Sequence, residues 1–327
     1  MELKDSKVLV IGGAGFIGSY VAMELLKHPV KEVIIYDNFA RGKMTNIEEP
    51  LKDPRCKLFP HGGDIREIDI LNEAMKGMDY VICLSAMWLL HCKDYPRTAF
   101  DVNVAGTFNV LEACVKNNIK KLVWSSSASV YGDAVELPMT ENHPFNNKNF
   151  YGATKIAGEA MATAFNDRYN LPVIGLRYMN VYGPNQDQTA AYTGVIPIML
   201  NKIDENVSPV INGDGSQAYD FIYVEDVARC NVMALTSDTT FGFYNVGTEV
   251  QTSIKTLCDT ILRLKDSALK VQYKPYSADD ARALVQNRIG SREKAEKELG
   301  FKYKYELEEG LQKLIDWREA QKNKLHF

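Results

Sequence analysis

Several features that would place a chain in a special class are missing from this 327-residue sequence. No apolar run approaches the ~20 residues of a membrane-spanning helix, and the first residues are too polar for a secretory signal. The six cysteines form no C-x-x-C pair and the five histidines are scattered, which disfavours disulfides and zinc sites. Basic blocks are also missing, and the net charge is −4. We therefore expect a cytoplasmic protein without a membrane, nucleic-acid or metal partner.

Hydrophobic residues make up 46% of the chain, enough for one large core or two modest ones. Apolar strand-like runs alternate with segments of helical periodicity, which predicts a doubly wound parallel sheet with ligands at the carboxyl ends of its strands. The predicted strands are 7–11, 32–36, 79–84, 121–124, 173–176 and 243–246, and the clearest predicted helices are 94–118, 149–169 and 225–236.

A glycine-rich turn follows the first strand and opens a helix. Gly13, Gly15 and Gly18 fit the G-x-G-x-x-G pattern, while Gly12, Gly15 and Gly18 fit a three-plus-three spacing. Glycines let backbone N–H groups approach a phosphate, and the helix N-terminus adds partial positive charge. The turn predicts a dinucleotide site in which Gly12, Gly15, Phe16, Ile17 and Gly18 hold the pyrophosphate.

Asp37 closes the second apolar run, where a carboxylate can accept hydrogen bonds from the adenosine ribose. Arg41 and Lys43, just beyond it, could instead serve a 2′-phosphate. A carboxylate facing that phosphate would repel it, so we predict NAD as the cofactor. Asn38, Arg41, Gly42 and Lys43 are placed in the same site as Asp37.

Tyr151 and Lys155 stand four residues apart in a predicted helix, so the phenol and the ammonium share one face. A nearby cation favours the ionised form of a phenol, whose pKa is otherwise near ~10, and makes it a usable general base. The same spacing also occurs on ordinary helix surfaces. Ser125, Ser126 and Ser127 end a buried strand at the rim where such sheets bind ligands, which favours the functional interpretation.

With these motifs in this order, the chain resembles the extended short-chain dehydrogenase/reductase family, and more narrowly its nucleotide-sugar epimerases and dehydratases. The resemblance covers essentially the whole chain. It rests on the glycine turn, Asp64-Ile65, Asn103, the Ser125–Gly132 stretch, Tyr151–Lys155, the Arg177–Pro184 stretch and Phe221–Val227. It implies an α/β fold with a Rossmann-type NAD-binding domain (1–177 and about 220–247) and a smaller C-terminal nucleotide-sugar lobe (about 178–219 and 248–327).

The resemblance also assigns roles to matching residues. Tyr151 would be the general base, Lys155 would bind the nicotinamide ribose and lower the Tyr151 pKa, and Ser127 would bond the sugar oxygen. The cofactor would further contact Asp64, Ile65, Leu84, Ser85, Ala86, Asn103, Ser125, Tyr178 and Val181. The substrate would contact Trp88, Ser127, Ser129, Asn180, Tyr219, Arg282 and Arg288.

After Ser127 the chain has Ala128 and Ser129, whereas the similar 4,6-dehydratases carry an Asp-Glu pair there. The related decarboxylases place a glutamate in the same stretch, so both reactions are disfavoured. We predict NAD-dependent 4-epimerisation of a UDP-hexose or UDP-N-acetylhexosamine type of nucleotide sugar through a 4-keto intermediate. The alternatives are a 4-keto reductase or 4,6-dehydratase on the same fold and, from another class, a non-catalytic dinucleotide-sensing protein.

Tyr219 stands where the family usually has an arginine that binds the nucleotide diphosphate. Arg282 is the first candidate to replace it and Arg288 the second, although Arg282 also fits a surface ion pair. Trp88 and His91 either shape the sugar pocket or are a core tryptophan and a surface histidine.

The resemblance also implies a homodimer that pairs through helices such as 94–118 and 149–169. Apolar side chains on these helices suit such an interface, or else face the sheet. They are Phe100, Val104, Phe108, Met161 and Phe165.

Overall fold

The fold is built around a parallel β-sheet, seen in a computed structural model that describes residues 3–187, 194–276 and 285–324. In chain order the strands are β1 (Lys7–Ile11), β2 (Glu32–Tyr36), β3 (Cys56–Leu58), β4 (Tyr80–Cys83), β5 (Lys121–Ser127), β6 (Val173–Tyr178), β7 (Asn180–Tyr182), β8 (Val210–Asn212), β9 (Ala218–Tyr219), β10 (Phe221–Tyr223), β11 (Phe241–Val246), β12 (Thr252–Ser253), β13 (Gln272–Lys274) and β14 (Asn287–Arg288). The main sheet has the order β11-β6-β5-β4-β1-β2-β3, and all its pairs are parallel.

Helices cover both faces of this sheet, and others form part of a core outside it. In chain order they are α1 (Phe16–Leu26), α2 (Met44–Ile47), α3 (Ile68–Met75), α4 (Leu89–Asp94), α5 (Pro96–Ala99), α6 (Gly106–Lys116), α7 (Phe150–Tyr169), α8 (Val195–Asp204), α9 (Val224–Thr236), α10 (Ile254–Leu264), α11 (Glu293–Leu299) and α12 (Leu307–Lys324). Within the described chain, none of them is long and apolar enough to cross a membrane.

The two faces of the sheet build two separate apolar cores, because successive side chains of a strand point to opposite faces. In β1, Val8 and Val10 join the core under α1 and α9. Leu9 and Ile11 join the core under α3, α6 and α7. All four side chains are fully buried, as expected for a parallel strand covered on both sides. This arrangement confirms the predicted α/β, Rossmann-type architecture.

A third core lies outside the main sheet. It joins side chains of α8, α10 and α12 with those of β7, β8 and β10, among them Leu200, Leu257 and Leu311. Asp226, fully buried in α9, accepts hydrogen bonds from the backbone N–H groups of Lys304 and Tyr305 and so fixes the segment before α12. The separate core supports the predicted division into two lobes, which stays a prediction.

The short strands outside the main sheet were not predicted, and within the main sheet and its covering helices two features differ from the sequence-based expectation. Strand β3 was not predicted, because it has only three residues and its central Lys57 is exposed at the sheet edge. The predicted helix 94–118 is confirmed from Pro96 to Lys116, where α5, a π-helical turn at Phe100–Ala105 and α6 follow one another without a gap. The π-helical turn was not predicted, and α4 ends just before this run at Asp94. Pro96 begins a new helix there, since proline fits the first turn of a helix but not its interior.

The strand order reverses between β1 and β4. From β1 the chain moves to β2 and β3 on one side, and from β4 to β5 and β6 on the other. A crevice forms at the carboxyl ends of the strands at such a switch point, and the glycine turn after β1 opens into it.

Candidate active site

A cleft of about 430 Å³ lies at this switch point, between the main sheet and the start of α8. Many of the predicted site residues line it: Gly12, Gly15, Phe16, Ile17, Gly18, Arg41, Lys43, Leu84, Ala86, Trp88, Ser125, Ser127, Ser129, Tyr151, Tyr178, Asn180, Val181 and Arg288. Motifs that are far apart in the sequence therefore meet in one cavity.

The glycine turn has room for backbone only. Gly12 has φ +77°, a conformation that favours glycine, and a Cβ there would lie 2.9 Å from Ser85 N. A Cβ on Gly18 would overlap Gly12 O. In the described structure no side chain caps the first turn of α1, so its N–H groups remain available at the cleft. This cradle fits the pyrophosphate of a dinucleotide.

Asp37 lies at the end of β2 with 9% of its surface exposed. Its carboxylate accepts hydrogen bonds from the backbone N–H groups of Ala14 (2.9 Å) and Phe39 (2.8 Å), which fixes it beside the glycine turn. Burial raises the pKa of Asp37, and these amide bonds oppose the shift. Each carboxylate oxygen can accept a further hydrogen bond, so both remain able to bind ribose hydroxyls.

Arg41 and Lys43 face Asp187 across the cleft, each with a nitrogen 3.7 Å from a carboxylate oxygen. The Arg41 guanidinium also lies 5.2 Å from the centroid of the Trp88 ring. The two cations that could have served a 2′-phosphate are thus matched by a carboxylate, which favours NAD over NADP.

Tyr151 and Ser127 come from neighbouring elements. Tyr151 stands in the first turn of α7, whose N-terminus is capped by Asn149 Oδ1 accepting from Gly152 N at 2.8 Å. Ser127 is the last residue of β5 and hydrogen-bonds Tyr151. The Ser127 hydroxyl also donates to Ser129 Oγ at 3.1 Å. A phenol and a hydroxyl are therefore presented together at the cleft.

Lys155 lies behind this pair with 2% of its surface exposed. Its Nζ donates to Ser125 O at 2.5 Å and lies 5.7 Å from the centroid of the Tyr151 ring and 4.7 Å from that of Trp124. Burial lowers the pKa of Lys155 to about 8. The cation is held by the strand carbonyl on one side and by aromatic rings on the other.

The Tyr151 pKa differs from the sequence-based expectation. Burial raises it to about 12, while the hydrogen bond with Ser127 opposes the shift. The helical spacing does bring Lys155 to the Tyr151 ring, but the ammonium donates to Ser125 O and the phenol loses hydration. Desolvation outweighs the cation here because burial penalises a charged phenolate.

Residues 8–247 match the model of the NAD dependent epimerase/dehydratase family. The chain belongs to this family. A Methanocaldococcus jannaschii relative, named provisionally as a UDP-glucose 4-epimerase, is 36% identical over 315 residues, covering 95% of this chain and 97% of the relative. The membership confirms both the resemblance found in the sequence and an NAD-dependent enzyme.

Two solved structures of epimerases are similar to this chain over almost its full length. The UDP-N-acetylglucosamine 4-epimerase of Methanobrevibacter ruminantium, in complex with UDP-N-acetylmuramic acid, has a TM-score of 0.90 at 32% identity and covers 97% of this chain and 99% of its own. The UDP-glucose 4-epimerase of Thermus thermophilus, in complex with NAD, has a TM-score of 0.84 at 29% identity and covers 96% and 99%. These matches confirm the prediction that the cofactor is NAD.

Asn103 was predicted to lie near the cofactor. It is buried behind the cleft, where it connects the loop at Met87 with helix α7. Its Oδ1 accepts from Met87 N at 2.6 Å, and its Nδ2 donates to Met87 O and to Thr154 Oγ1. Thr154 stands between Tyr151 and Lys155 on α7. Asn103 therefore fixes the loop after β4 against the helix that carries both residues, and the π-helical turn places it there.

The other predicted cofactor residues lie next to the cleft and are not among its described lining residues. They hold the surrounding loops together. Asn38 Nδ2 donates to Asp64 Oδ2 at 3.2 Å, and Asp64 also pairs with Arg66. Gly42 packs against the Asp37 carboxylate, Ser85 against Gly12, and Ile65 against Gly106. These contacts connect the loops that follow β1, β2, β3 and β4.

On the substrate side, the strand pairing places an arginine beside Tyr219, the position where an arginine was expected. The Tyr219 hydroxyl donates to Val285 O at 2.8 Å, and Arg288 pairs with Tyr219 in register on the neighbouring strand. Arg288 lines the cleft, and its buried Nε has no hydrogen-bond partner among the described residues. Burial lowers the pKa of Arg288. Arg282 lies outside the described residues.

The structure adds lining residues that the sequence analysis did not identify, including Leu89, Met179, Gln186 and Phe221 and the start of α8 at Val195, Ile196 and Pro197. Gln186 carries a buried Oε1 that lacks a partner within the described part of the chain. Of Trp88 and His91, the structure brings Trp88 into the described lining. No periodicity marks these positions. Met179 lies within the Arg177–Pro184 stretch, Gln186 follows it and Phe221 begins the Phe221–Val227 stretch, so these motifs were the available signal.

Proposed function

We propose that this protein is a nucleotide-sugar 4-epimerase that acts on a UDP-hexose or UDP-N-acetylhexosamine type of substrate, with Tyr151 as its general base. The names of the similar Methanobrevibacter and Thermus epimerases support the substrate class. The observation that carries the proposal is the joint presentation of Ser127 and Tyr151 at the cleft, with Lys155 directly behind them.

NAD, when bound, supplies a hydride acceptor that returns the hydride later in the turnover. The chain itself positions the sugar and moves the proton. Tyr151 Oη accepts the proton of the sugar hydroxyl as that carbinol is oxidised, and Ser127 Oγ donates a hydrogen bond to the same sugar oxygen. The Lys155 ammonium stabilises the phenolate that accepts this proton. Reduction of the opposite sugar face takes the proton back from Tyr151 and completes the epimerisation.

The composition of the cleft favours epimerisation over loss of water. Asp187 is the only carboxylate among the described lining residues, and it faces Arg41 and Lys43. Ala128 and Ser129 follow Ser127, so the strand end offers a hydroxyl and no carboxyl group for elimination. A 4,6-dehydratase needs an acid and a base beside the sugar.

A proton NMR time course tests this proposal. The purified protein is incubated with UDP-glucose or UDP-N-acetylglucosamine without added cofactor, and we expect the signals of the 4-epimer to grow to a constant ratio. Formation of a 4-keto-6-deoxy sugar would identify a dehydratase instead. Reduction of an added UDP-4-keto sugar at the expense of NADH, without epimerisation of the two carbinol substrates, would identify a reductase. The persistence of unchanged substrate in all assays would support the non-catalytic alternative.

Replacing Arg288 by methionine tests the proposed diphosphate contact. We expect KM for the nucleotide sugar to rise about tenfold or more with kcat nearly unchanged, because a charge-assisted hydrogen bond contributes about 1.5–3 kcal/mol. Steady-state kinetics measure both constants. Arg292→Met is the matched control, since Arg292 pairs with Glu296 on α11 outside the cleft. A KM that stays at the wild-type value in Arg288→Met would exclude the contact.

We also propose a homodimer that pairs through the helices α6 and α7. Phe100 and Phe108 are 50% and 44% exposed, which suits an apolar interface, whereas Phe165 packs into the core beneath the sheet. Light scattering should give twice the chain mass of 36.8 kDa. Phe108→Glu should shift the particle to a single chain, because a buried unpaired carboxylate is costly. A single-chain mass for the wild type at micromolar concentration would contradict the proposal.

A further inference from the structure

A buried carboxylate continues the face of α7 that carries the general base. Tyr151, Lys155 and Glu159 follow one another at four-residue intervals, so their side chains lie along the same side of the helix. Glu159 is 4% exposed. A carboxylate at this depth is costly unless it is paired and hydrogen-bonded.

The partners of Glu159 come from β5 and β6. Arg177 donates through Nε to Glu159 Oε1 (2.8 Å) and through Nη2 to Oε2 (2.7 Å), a two-pronged contact that fixes the carboxylate plane. Ser126 Oγ donates to Oε1 at 2.6 Å. Ser126 stands between the two serines that contact Lys155 and Tyr151, so the carboxylate is tied to the end of the same strand.

Arg177 is held as firmly as its partner. It lies in register with Ser126 across the β5–β6 pair and is 4% exposed. Its Nη1 donates to Tyr131 Oη at 2.7 Å and to Glu141 O at 3.0 Å. The pair therefore bridges α7, both strands and the loop that follows Ser127, and its position is rigidly defined.

Lys155 faces titratable groups from three elements. They are Cys83 at the end of β4, Cys92 on α4, and Tyr151 and Glu159 on its own helix. Burial raises the pKa of both thiols to about 11 and that of Tyr151 to about 12, so these three groups are uncharged near pH 8. From β5, Lys155 meets the carbonyl of Ser125 and the ring of Trp124. Within the described surroundings of Lys155, the Glu159 carboxylate is thus the source of negative charge at that pH.

We propose that the Glu159–Arg177 pair is a positioning device for proton transfer, in which Glu159 supplies the negative charge that keeps Lys155 protonated and Arg177 holds that carboxylate in place. The inference deepens the proposed function and rests on it. Glu159 acts through Lys155, and it does not touch the sugar. No sequence pattern singles out this pair, because it forms only when α7 packs against the sheet beside β6.

Glu159→Gln tests the charge with little change in shape. The pH midpoint of Lys155 is measured from the ¹³Cε resonances of isotope-labelled lysine, with the Lys155 signal assigned by its loss in Lys155→Met. We expect the midpoint to fall by up to about one pH unit, because Lys155 loses a carboxylate one helical turn away while the Arg177 cation that balanced it remains. The alkaline limb of the kcat profile should move to lower pH by the same amount, with KM unchanged.

Glu159→Asp retains the charge and should keep the Lys155 midpoint near that of the wild type, even if the shorter side chain lowers stability. Glu298→Gln is a matched control, because it removes a carboxylate that accepts from Tyr244 Oη outside the cleft. A purely structural role predicts a different result: Glu159→Gln and Glu159→Asp would lower activity equally at every pH.

If Glu159→Gln does not fold because Arg177 is left buried and unpaired, the double variant Glu159→Gln/Arg177→Met carries the test. It removes the carboxylate without leaving an unpaired cation, and a lower Lys155 midpoint is again expected. A midpoint that stays at the wild-type value in the folded variant overturns the inference. The titration needs no turnover, so failure of the epimerase proposal in the Tyr151→Phe or NMR assays would be seen separately.

Discussion

Replacing Tyr151 by phenylalanine is expected to lower kcat by about 10²–10⁴-fold, the usual contribution of a positioned general base. The phenol is the group that hydrogen-bonds Ser127 at the cleft and has the Lys155 ammonium next to its ring. Removing one oxygen leaves the ring in place, so KM and the amount of NAD that copurifies should change little. NMR initial rates and the NAD released on denaturation measure these quantities.

Tyr244→Phe is the matched control for this substitution. The Tyr244 hydroxyl donates to Glu298 Oε2 at 2.6 Å, away from the cleft lining, so the variant should lose about 1 kcal/mol of stability and no activity. Epimerisation by Tyr151→Phe at a rate within tenfold of the wild type would show that another group moves the proton.

Replacing Gly18 by alanine should weaken NAD binding by about tenfold to 100-fold. The new Cβ would overlap Gly12 O, Gly13 Cα and the Gly12 carbonyl carbon, all of which are backbone atoms of the turn that must cradle the pyrophosphate. Backbone atoms cannot yield as a flexible side chain can, so the turn or α1 must shift. Such overpacking costs about 1–3 kcal/mol, and each factor of ten in affinity corresponds to about 1.4 kcal/mol.

Gly15→Ala is a graded comparison within the same turn. Its Cβ would lie 3.1 Å from Gly12 O, and a shift of a few tenths of an ångström relieves that contact. Titration calorimetry with NAD and thermal unfolding should rank Gly18→Ala well below Gly15→Ala in affinity and in stability. Equal affinities for both variants and the wild type would show that the turn does not hold the cofactor.

Much of the site could be predicted because its parts are local patterns. The glycine turn, the acid at the end of β2 and the Tyr151/Lys155 spacing each lie within a short segment, and parallel strands place such segments at one sheet edge. Strand β3 and the π-helical turn within helix 94–118 were not predictable in this way. A three-residue edge strand has no clear period, and a π-helical turn is a rare local feature of an otherwise regular helix.

The diphosphate cation illustrates the same limit. The sequence analysis named Arg282 as the first candidate to replace the arginine missing at Tyr219, and Arg288 as the second. Pairing of β9 with β14 places Arg288 beside Tyr219 and at the cleft, with a buried Nε that has no partner in the described chain. Strand register in a short sheet is set by tertiary packing, which no spacing in the chain encodes.

The sequence by itself determined the doubly wound fold, the NAD site, and Ser127, Tyr151 and Lys155 as candidate catalytic residues, since periodicity and short motifs depend on neighbouring residues. Only the tertiary structure decided the pKa shifts of the site groups and the buried ion pair beside them. The pKa of Tyr151 rises and that of Lys155 falls because both groups are buried, and Glu159 on α7 pairs with Arg177 on β6. Burial and long-range pairing arise when distant segments pack together, and this packing sets the charges with which the site works.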